Sequence, residues 1–409
     1  MSSDEREVAV EPGRVGGPSS RMVREASARL VLDHMWDVPT ATGSDLMAAT
    51  GLTRATVHDV CQELIDRGWV RELVGQREHY RKGRPARRYA FDPLAGVVVG
   101  VDAGEHRVDA LVTDLRGDEL GRHQGPPRNG STDPAERVAA VSGAIEAALA
   151  AAGVPARRVL AVTVGVPAPV DAEGRTAFRG NPYWERMNPD LGERLRARHG
   201  WSAVVDNDAN LAALAEGWRG HGRGTRHFVA LLAGERLGAG IVDDGRLIRG
   251  ARGGAGEMRF LDLVAGVGSP DGVAKVTRDL AAAALAEPGA RSVLAAGPDG
   301  APDAEAVFAA ARAGDALAAR VVDRVADRMA LVIATIASLV DTDLVIIAGR
   351  VAASWGPLVE PLQQRLARHG NPPPRVRAST LGGDVVMLGA VARCLDDVRE
   401  RALQLTLAG

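Results

Sequence analysis

The stretch Val204-Val205-Asp206-Asn207-Asp208-Ala209-Asn210-Leu211-Ala212-Ala213-Leu214-Ala215-Glu216 constrains the fold more than any other. A short apolar strand runs into a turn of Asp and Asn residues, and an Ala/Leu helix follows. Asn and Asp tolerate turn geometry, and their side-chain oxygens accept from the free N–H groups of a helix's first turn. Polar side chains therefore gather where a strand ends and a helix begins, which is where open α/β sheets bind ligands. Two readings are open. Asp206 and Asp208 cap the helix and do no more, or Asn207 and Asp208 also reach a polyhydroxylated ligand. In the second case Asp208 is placed to accept a hydroxyl proton as a general base.

At 409 residues, 46% hydrophobic and 25% charged, the chain reads as a soluble globular protein of about two to four domains. A formal charge of −2 gives no overall attraction to nucleic acid, so any basic patch must be local. Cys61 and Cys394 are far apart and in no metal spacing, which argues against a disulfide framework and fits a reducing cytoplasm. The polar first twenty residues lack the apolar core of a signal peptide, and no run is apolar enough to span a bilayer. Rich in Gly, Pro, Ser and charge, residues 1–20 read as a flexible tail.

Residues 21–92 carry a second pattern. Ala26, Leu30, Val31, His34 and Met35 recur at helical spacing. A short helix capped near Ser44 follows, then a Gly51 turn, then a longer helix from about Arg54 to Arg67. Val57, Val60, Cys61 and Leu64 form the buried face of that helix, and Thr53 caps it. Short helix, glycine turn, longer helix is a helix-turn-helix pattern. Two strands, Trp69–Leu73 and Arg87–Phe91, joined by a polar loop would make it a winged helix. Between Arg71 and Ala90 seven basic side chains face only two acidic ones, a local charge suited to a DNA backbone. Lys82-Gly83-Arg84-Pro85 resembles the Gly-Arg-Pro arm with which many wings enter the minor groove. The alternative is a solvated basic loop. The candidate DNA contacts are Thr53, Arg54, Thr56, His58 and Gln62 on the third helix, and Lys82, Arg84, Arg87 and Arg88 on the wing. Arg54 is the residue best suited to guanine, and Gln62 to adenine.

From Pro93 onward strands and helices alternate. Gly96–Asp102 is a buried strand, Arg107–Asp114 its partner, and Glu119–His123 a third. Asp133 and Pro134 open a helix that Gly153 closes. Val159–Val166, Phe228–Leu232, Gly238–Val242 and Asp343–Ile347 read as strands, and Ala304–Ala313, Ala316–Val340, Trp355–His369 and Met387–Gln404 as helices.

The run Asn207-Asp208-Ala209-Asn210, the opening strand pair and the winged helix together resemble the ROK family (repressors, open reading frames and sugar kinases). The resemblance covers nearly the whole chain beyond the tail. It implies an α/β fold: an N-terminal winged helix-turn-helix followed by a two-lobed actin-like ATPase domain of the ribonuclease H-like, sugar-kinase type. The small lobe would run over 93–205, completed by a closing helix at 387–405, and the large lobe over 206–386. The sugar-site positions that match are Asn181 before Pro182-Tyr183-Trp184, with Asn207, Asp208 and Glu257. Asn181 is also readable as an ordinary Asn-Pro turn.

Four departures bear on activity. Kinases of the family cradle nucleotide phosphates in Gly/Thr-rich turns, the first reading Asp-x-Gly-Gly-Thr. Here it reads Asp102-Ala103-Gly104-Glu105-His106. The second, Gly-Thr-Gly-x-Gly, is here Gly234-Glu235-Arg236-Leu237-Gly238, and the adenosine-side turn is Ala348-Gly349-Arg350-Val351. The family's zinc cluster is also missing: Glu257-Met258-Arg259-Phe260 has Phe in place of the expected His, and no Cys or His lies between there and residue 300. Arg259 adds a cation that either meets an acidic or phosphorylated ligand or pairs with Glu257.

These features lead to the expectation of a DNA-binding transcriptional regulator, most simply a repressor of carbohydrate or secondary-metabolism genes. It is expected to lack kinase activity, metal and cofactor, and to pair with itself on an inverted-repeat operator. A carbohydrate-like effector is the expected small-molecule partner, and no membrane is involved. The competing readings are a bifunctional ATP-dependent sugar kinase and a ligand-independent regulator with a vestigial pocket.

Overall fold

The computed structural model describes residues 20–73, 87–126, 133–178, 180–295, 297, 301–369 and 372–407. The chain divides into two compact units, one of Met1–Ala95 with Arg401–Leu407 and one of Gly96–Glu400.

The first unit holds α1 (Ser20–Asp37), β1 (Ala41–Thr42), α2 (Gly43–Thr50), α3 (Arg54–Asp66), β2 (Val70–Leu73) and β3 (Arg88–Phe91). The three strands form an antiparallel sheet in the order β1-β3-β2. Two-residue β1 is too short to show an alternating pattern, so residue spacing does not reveal it. It changes the cap of α2: Thr42, not Ser44, accepts from the Asp45 N–H, and the Asp45 carboxylate accepts from the Thr42 N–H at 2.8 Å. This reciprocal pair satisfies two donors at once. Gly51 ends α2 at φ 71°, and Thr53 caps α3. As the spacing implied, Val57, Val60, Cys61 and Leu64 are buried. The same unit buries an aromatic cluster in which the Trp36 ring lies 4.4 Å from Phe91 and 6.0 Å from Trp69.

The second unit contains two five-stranded sheets. The first is built from β4 (Val97–Ala103), β5 (Val108–Thr113), β6 (Glu119–Gln124), α4 (Pro134–Ala152), β7 (Val159–Val166), α5 (Pro182–Met187), α6 (Leu191–His199) and β8 (Ala203–Asn207). Its order is β6-β5-β4-β7-β8, an antiparallel meander continued by parallel strands. The expected limits of α4 hold, with Asp133 capping and Gly153 left-handed. After α7 (Asp208–Arg219) comes the second sheet, which uses β9 (Phe228–Ala233), β10 (Leu237–Asp243) and β11 (Arg246–Ile248). Then follow α8 (Val273–Leu285), α9 (Ala304–Arg312), α10 (Ala316–Val340), β12 (Leu344–Ala348), α11 (Ala352–Trp355), α12 (Val359–Leu366), β13 (Arg375–Ala378) and α13 (Val385–Arg401). The order is β11-β10-β9-β12-β13.

Two helices differ from expectation. The run from Trp355 to His369 is broken into α11 and α12 by a 3-10 turn at Gly356–Leu358, where Pro357 lacks an N–H for a continuous helix. The closing helix ends at Arg401, and Ala402–Gln404 forms a 3-10 turn in the first unit, its Leu403 carbonyl accepting from Arg67 at 2.7 Å. α13 seats against β4 and α7 at glycines: a Cβ on Gly100 would meet the Met387 carbonyl, and one on Gly389 the Leu211 carbonyl.

Candidate functional site

β8 delivers Asn207 to the start of α7. Asn207 is the N-cap, its Oδ1 accepting from the Asn210 N–H at 3.1 Å while Nδ2 donates to the Ala168 carbonyl at 3.1 Å. Both ends of the amide are thus spent on holding the turn. Asp206 does not cap the helix. It is 2% exposed, and its two oxygens take Nη1 and Nη2 of Arg249 at 2.7 Å each. No local pattern announces this fork, because Arg249 comes from a loop 43 residues away. Asp208, the first residue of α7, accepts from the Ala209 N–H at 2.8 Å and lines a cavity of about 250 Å³.

The same cavity is walled by all three departing turns: Asp102, Gly104, Glu105 and His106; Gly234, Glu235 and Arg236; and Gly349 with Arg350. Tyr183 and the start of α13, Val385 and Val386, complete it. Arg137, buried on α4, fastens the first turn by donating to the Ala103 and Gly104 carbonyls. Glu105 pairs with Arg186 at 3.2 Å, and Glu235 takes a bidentate grip from Arg278 at 2.6 and 2.8 Å. The Arg236 guanidinium lies 4.9 Å from the centre of the Tyr183 ring.

Burial dominates the titration of this cleft. It pushes Asp102 up to about 7, helped by Asp109 and opposed by the Arg350, Arg137 and Arg107 charges. It pushes Asp208 up to about 8, reinforced by Asp102 and Glu257. Tyr183 is raised by burial and then by the Glu105 and Asp208 carboxylates.

Of the five ligand positions picked out by sequence, only Asp208 lines the cavity. Asn181 caps α5, accepting from the Tyr183 and Trp184 N–H groups at 3.0 and 3.3 Å, which is its turn role. Glu257 bridges to Gly238, and burial raises its carboxyl while Arg259 and Arg236 pull it back. Arg259 is exposed, with its guanidinium 4.5 Å from the Phe260 ring centre and 5.4 Å from that of Phe178. The segment to which the resemblance assigns a zinc cluster is tied down by Arg328, which donates to the carbonyls of Val267, Ser269 and Asp271 at 2.6–2.9 Å.

Comparison with known proteins adds lineage to this geometry. A model described as the ROK family matches residues 98–396. The chain belongs to the ROK family. A model of the IclR helix-turn-helix domain matches this ROK protein at residues 31–73. A glucokinase of Streptomyces coelicolor is 32% identical over 320 residues, 72% of this chain and 96% of the relative. A putative xylose repressor of a Caldicellulosiruptor species is 26% identical over 243 residues, 59% of this chain and 60% of the relative. A solved ROK family transcriptional regulator, a homologue of the E. coli MLC protein, shares the fold with a TM-score of 0.74 at 22% identity, over 94% of this chain and 99% of that one. A ROK family glucokinase from Streptomyces griseus, solved with glucose and AMPPNP, reaches 0.61 at 27% identity over 74% of this chain and all of that one.

In the helix-turn-helix of this ROK protein, α3 carries the candidate base-reading residues. Thr53 is occupied as the cap, its hydroxyl 2.9 Å from that of Thr56. Gln62 donates to Asp66 at 2.9 Å. His58 Nε2 sits 3.1 Å from Arg87 Nη1, which ties the helix to the residue before β3, and Arg87 also approaches Glu72 at 3.4 Å. Arg88 donates to Thr40 at 3.2 Å. Arg54 stands exposed at the start of α3 with no ion-pair partner among the described residues. Lys82 and Arg84 lie outside the described residues.

Proposed function

We propose that this protein is a ROK-family transcriptional regulator, most simply a repressor, that no longer transfers phosphate. Its cleft senses a small carbohydrate-like or acidic effector, and it works in the cytoplasm as a dimer or larger homo-oligomer on an inverted-repeat operator. The observation that carries the reading is the convergence of the three altered turns on one cavity beside Asp208. Phosphoryl transfer depends on positioning and charge neutralisation around the phosphates. Bare backbone N–H groups there have given way to Glu105, Glu235, Arg236 and Arg350. The IclR-type match and the free Arg54 support DNA reading, and the kinship with a putative xylose repressor supports the sign. Effector binding would change the closure of the two lobes and so shift a two-state equilibrium of the DNA-binding heads.

One observation favours a kinase that also binds DNA. Asp208, at about 8, titrates near neutrality, where general bases work best. Two experiments separate the readings. Selection of bound duplexes from a random library should enrich an inverted repeat, and Arg54→Ala should cost about 1–3 kcal/mol on the enriched site if it holds a guanine. A flat pool whose binding only falls with salt would leave backbone attraction alone and sink the regulator reading. Hexose-dependent ATP turnover that Asp208→Asn abolishes would establish the kinase.

A further inference from the structure

We infer that the effector is a monosaccharide-sized acid, a sugar phosphate or a sugar carboxylate, whose anionic group is held between Arg236 and Arg350. The inference rests on the effector-sensing reading above and gives it a ligand class.

Arg236 follows β9 and Arg350 follows β12, so two separate turns bring a guanidinium to one cavity. Both are exposed to it, and neither has a carboxylate within ion-pair distance among the described residues. Of the nearby acids, Glu105 pairs with Arg186 and Glu235 with Arg278, while Asp102 and Glu257 feel the Arg350 and Arg236 charges without an ion pair to either. The two cavity arginines therefore keep their donors free. Tyr183 gives the Arg236 guanidinium a flat surface to rest on. Gly383 does the same for Arg350, since a Cβ there would stand 3.4 Å from Nη1. Both guanidiniums are thus supported from the protein side with their edges unspent. A planar fork with unspent N–H groups is the donor that matches a carboxylate or phosphate.

The same cavity also offers a different chemistry. Asp102 and Asp208 offer carboxyl oxygens, which suit hydroxyl groups. A neutral sugar would leave two cations unmatched, and a bare anion would leave the carboxyl oxygens unmatched. A polyol acid satisfies both. The size agrees: a cavity of about 250 Å³ has room for a monosaccharide-sized molecule. Arg259, the cation that sequence alone puts forward for this task, spends its guanidinium on Phe178 and Phe260 and does not line the cavity.

The test is calorimetric titration of the full chain with glucose, glucuronate, glucose 6-phosphate and inorganic phosphate. It uses the wild type, the double variant Arg236→Ala/Arg350→Ala, and Arg259→Ala. At least one sugar acid should bind at least about tenfold more tightly than glucose and than inorganic phosphate, and the preference should shrink as salt rises. It should vanish in the double variant and survive in Arg259→Ala. Both arginines are exposed, so the double variant should melt with the wild type; Arg236→Lys/Arg350→Lys, which keeps the charge and loses the fork, should retain part of the preference. Equal or tighter binding of glucose, a preference that persists without both arginines, or no binding by any of the four would overturn the inference. A protein that selects an operator and turns over no ATP, yet fails this titration, loses only the ligand class. One that fails to select DNA loses the regulator reading as well.

Discussion

The two sides of the cleft are held in different ways. On the side of the Asp206–Asn210 turn, two polar side chains are satisfied from within the fold: Arg249 forks Asp206, and Asn207 spends both ends of its amide, while the buried Asn210 Oδ1 finds no partner among the described residues. On the side of the three turns, side chains line the cavity, and two of the cations there, Arg236 and Arg350, have no carboxylate within ion-pair distance among the described residues. One side is rigid and buried, the other open and charged. A scaffold of the first kind tolerates little change, whereas exposed turn residues can be exchanged at small cost in stability.

The largest expected effect breaks the rigid side. Arg249→Ala leaves Asp206 buried at 2% exposure without its partner, and should cost about 3–5 kcal/mol of unfolding free energy, read by denaturant titration. A loss below about 1 kcal/mol would mean that water or another group replaces the fork. Next comes Asp208→Asn. The folded carboxyl at about 8 lies above its unfolded value, so the wild type is most stable where the group is protonated and loses stability as pH rises through that range. Asp102, at about 7, adds a loss of the same sign. Asp208→Asn should therefore melt higher than wild type above pH 8, with the advantage shrinking towards pH 4. An advantage constant across pH would show that Asp208 is not raised. Asn207→Ala should cost about 1 kcal/mol through the lost cap, because Asn210 N–H then lacks its acceptor. The smallest change is expected on the open side: Arg350→Ala should leave stability within about 0.5 kcal/mol while raising the Asp102 titration further, since the Arg350 charge now holds it down. Carboxyl chemical shifts followed against pH would show the direction.

Much of the architecture was legible because it depends on local pattern. The caps Thr53 and Asp133, the glycine stops Gly51 and Gly153, and the buried stripe of α3 follow from spacing and residue type alone. Strand runs such as Val159–Val166 are continuous enough to announce themselves. What escaped is what arises from distant partners. Thr42 caps α2 because β1 pairs with β3, and no local signal records that pairing. The assignment of Asp206 depends on Arg249, the fastening of the Gly104 turn on Arg137, and the tie of the 267–271 segment on Arg328; all three are single arginines set far away in the chain. The cleft was half legible for the same reason. Asp208 and the three altered turns were evident as motifs, but only the fold reveals that Arg236 and Arg350 face the cavity whereas Arg259 stacks on Phe178 and Phe260.

The most direct test of this asymmetry is an ATP-turnover assay of the wild type across a panel of hexoses. If the open side has lost phosphoryl transfer, ADP release stays at the no-sugar background with every hexose. Turnover that rises with one hexose and disappears in Asp208→Asn would contradict the account, because it would show that the altered turns still hold a nucleotide in line with the sugar.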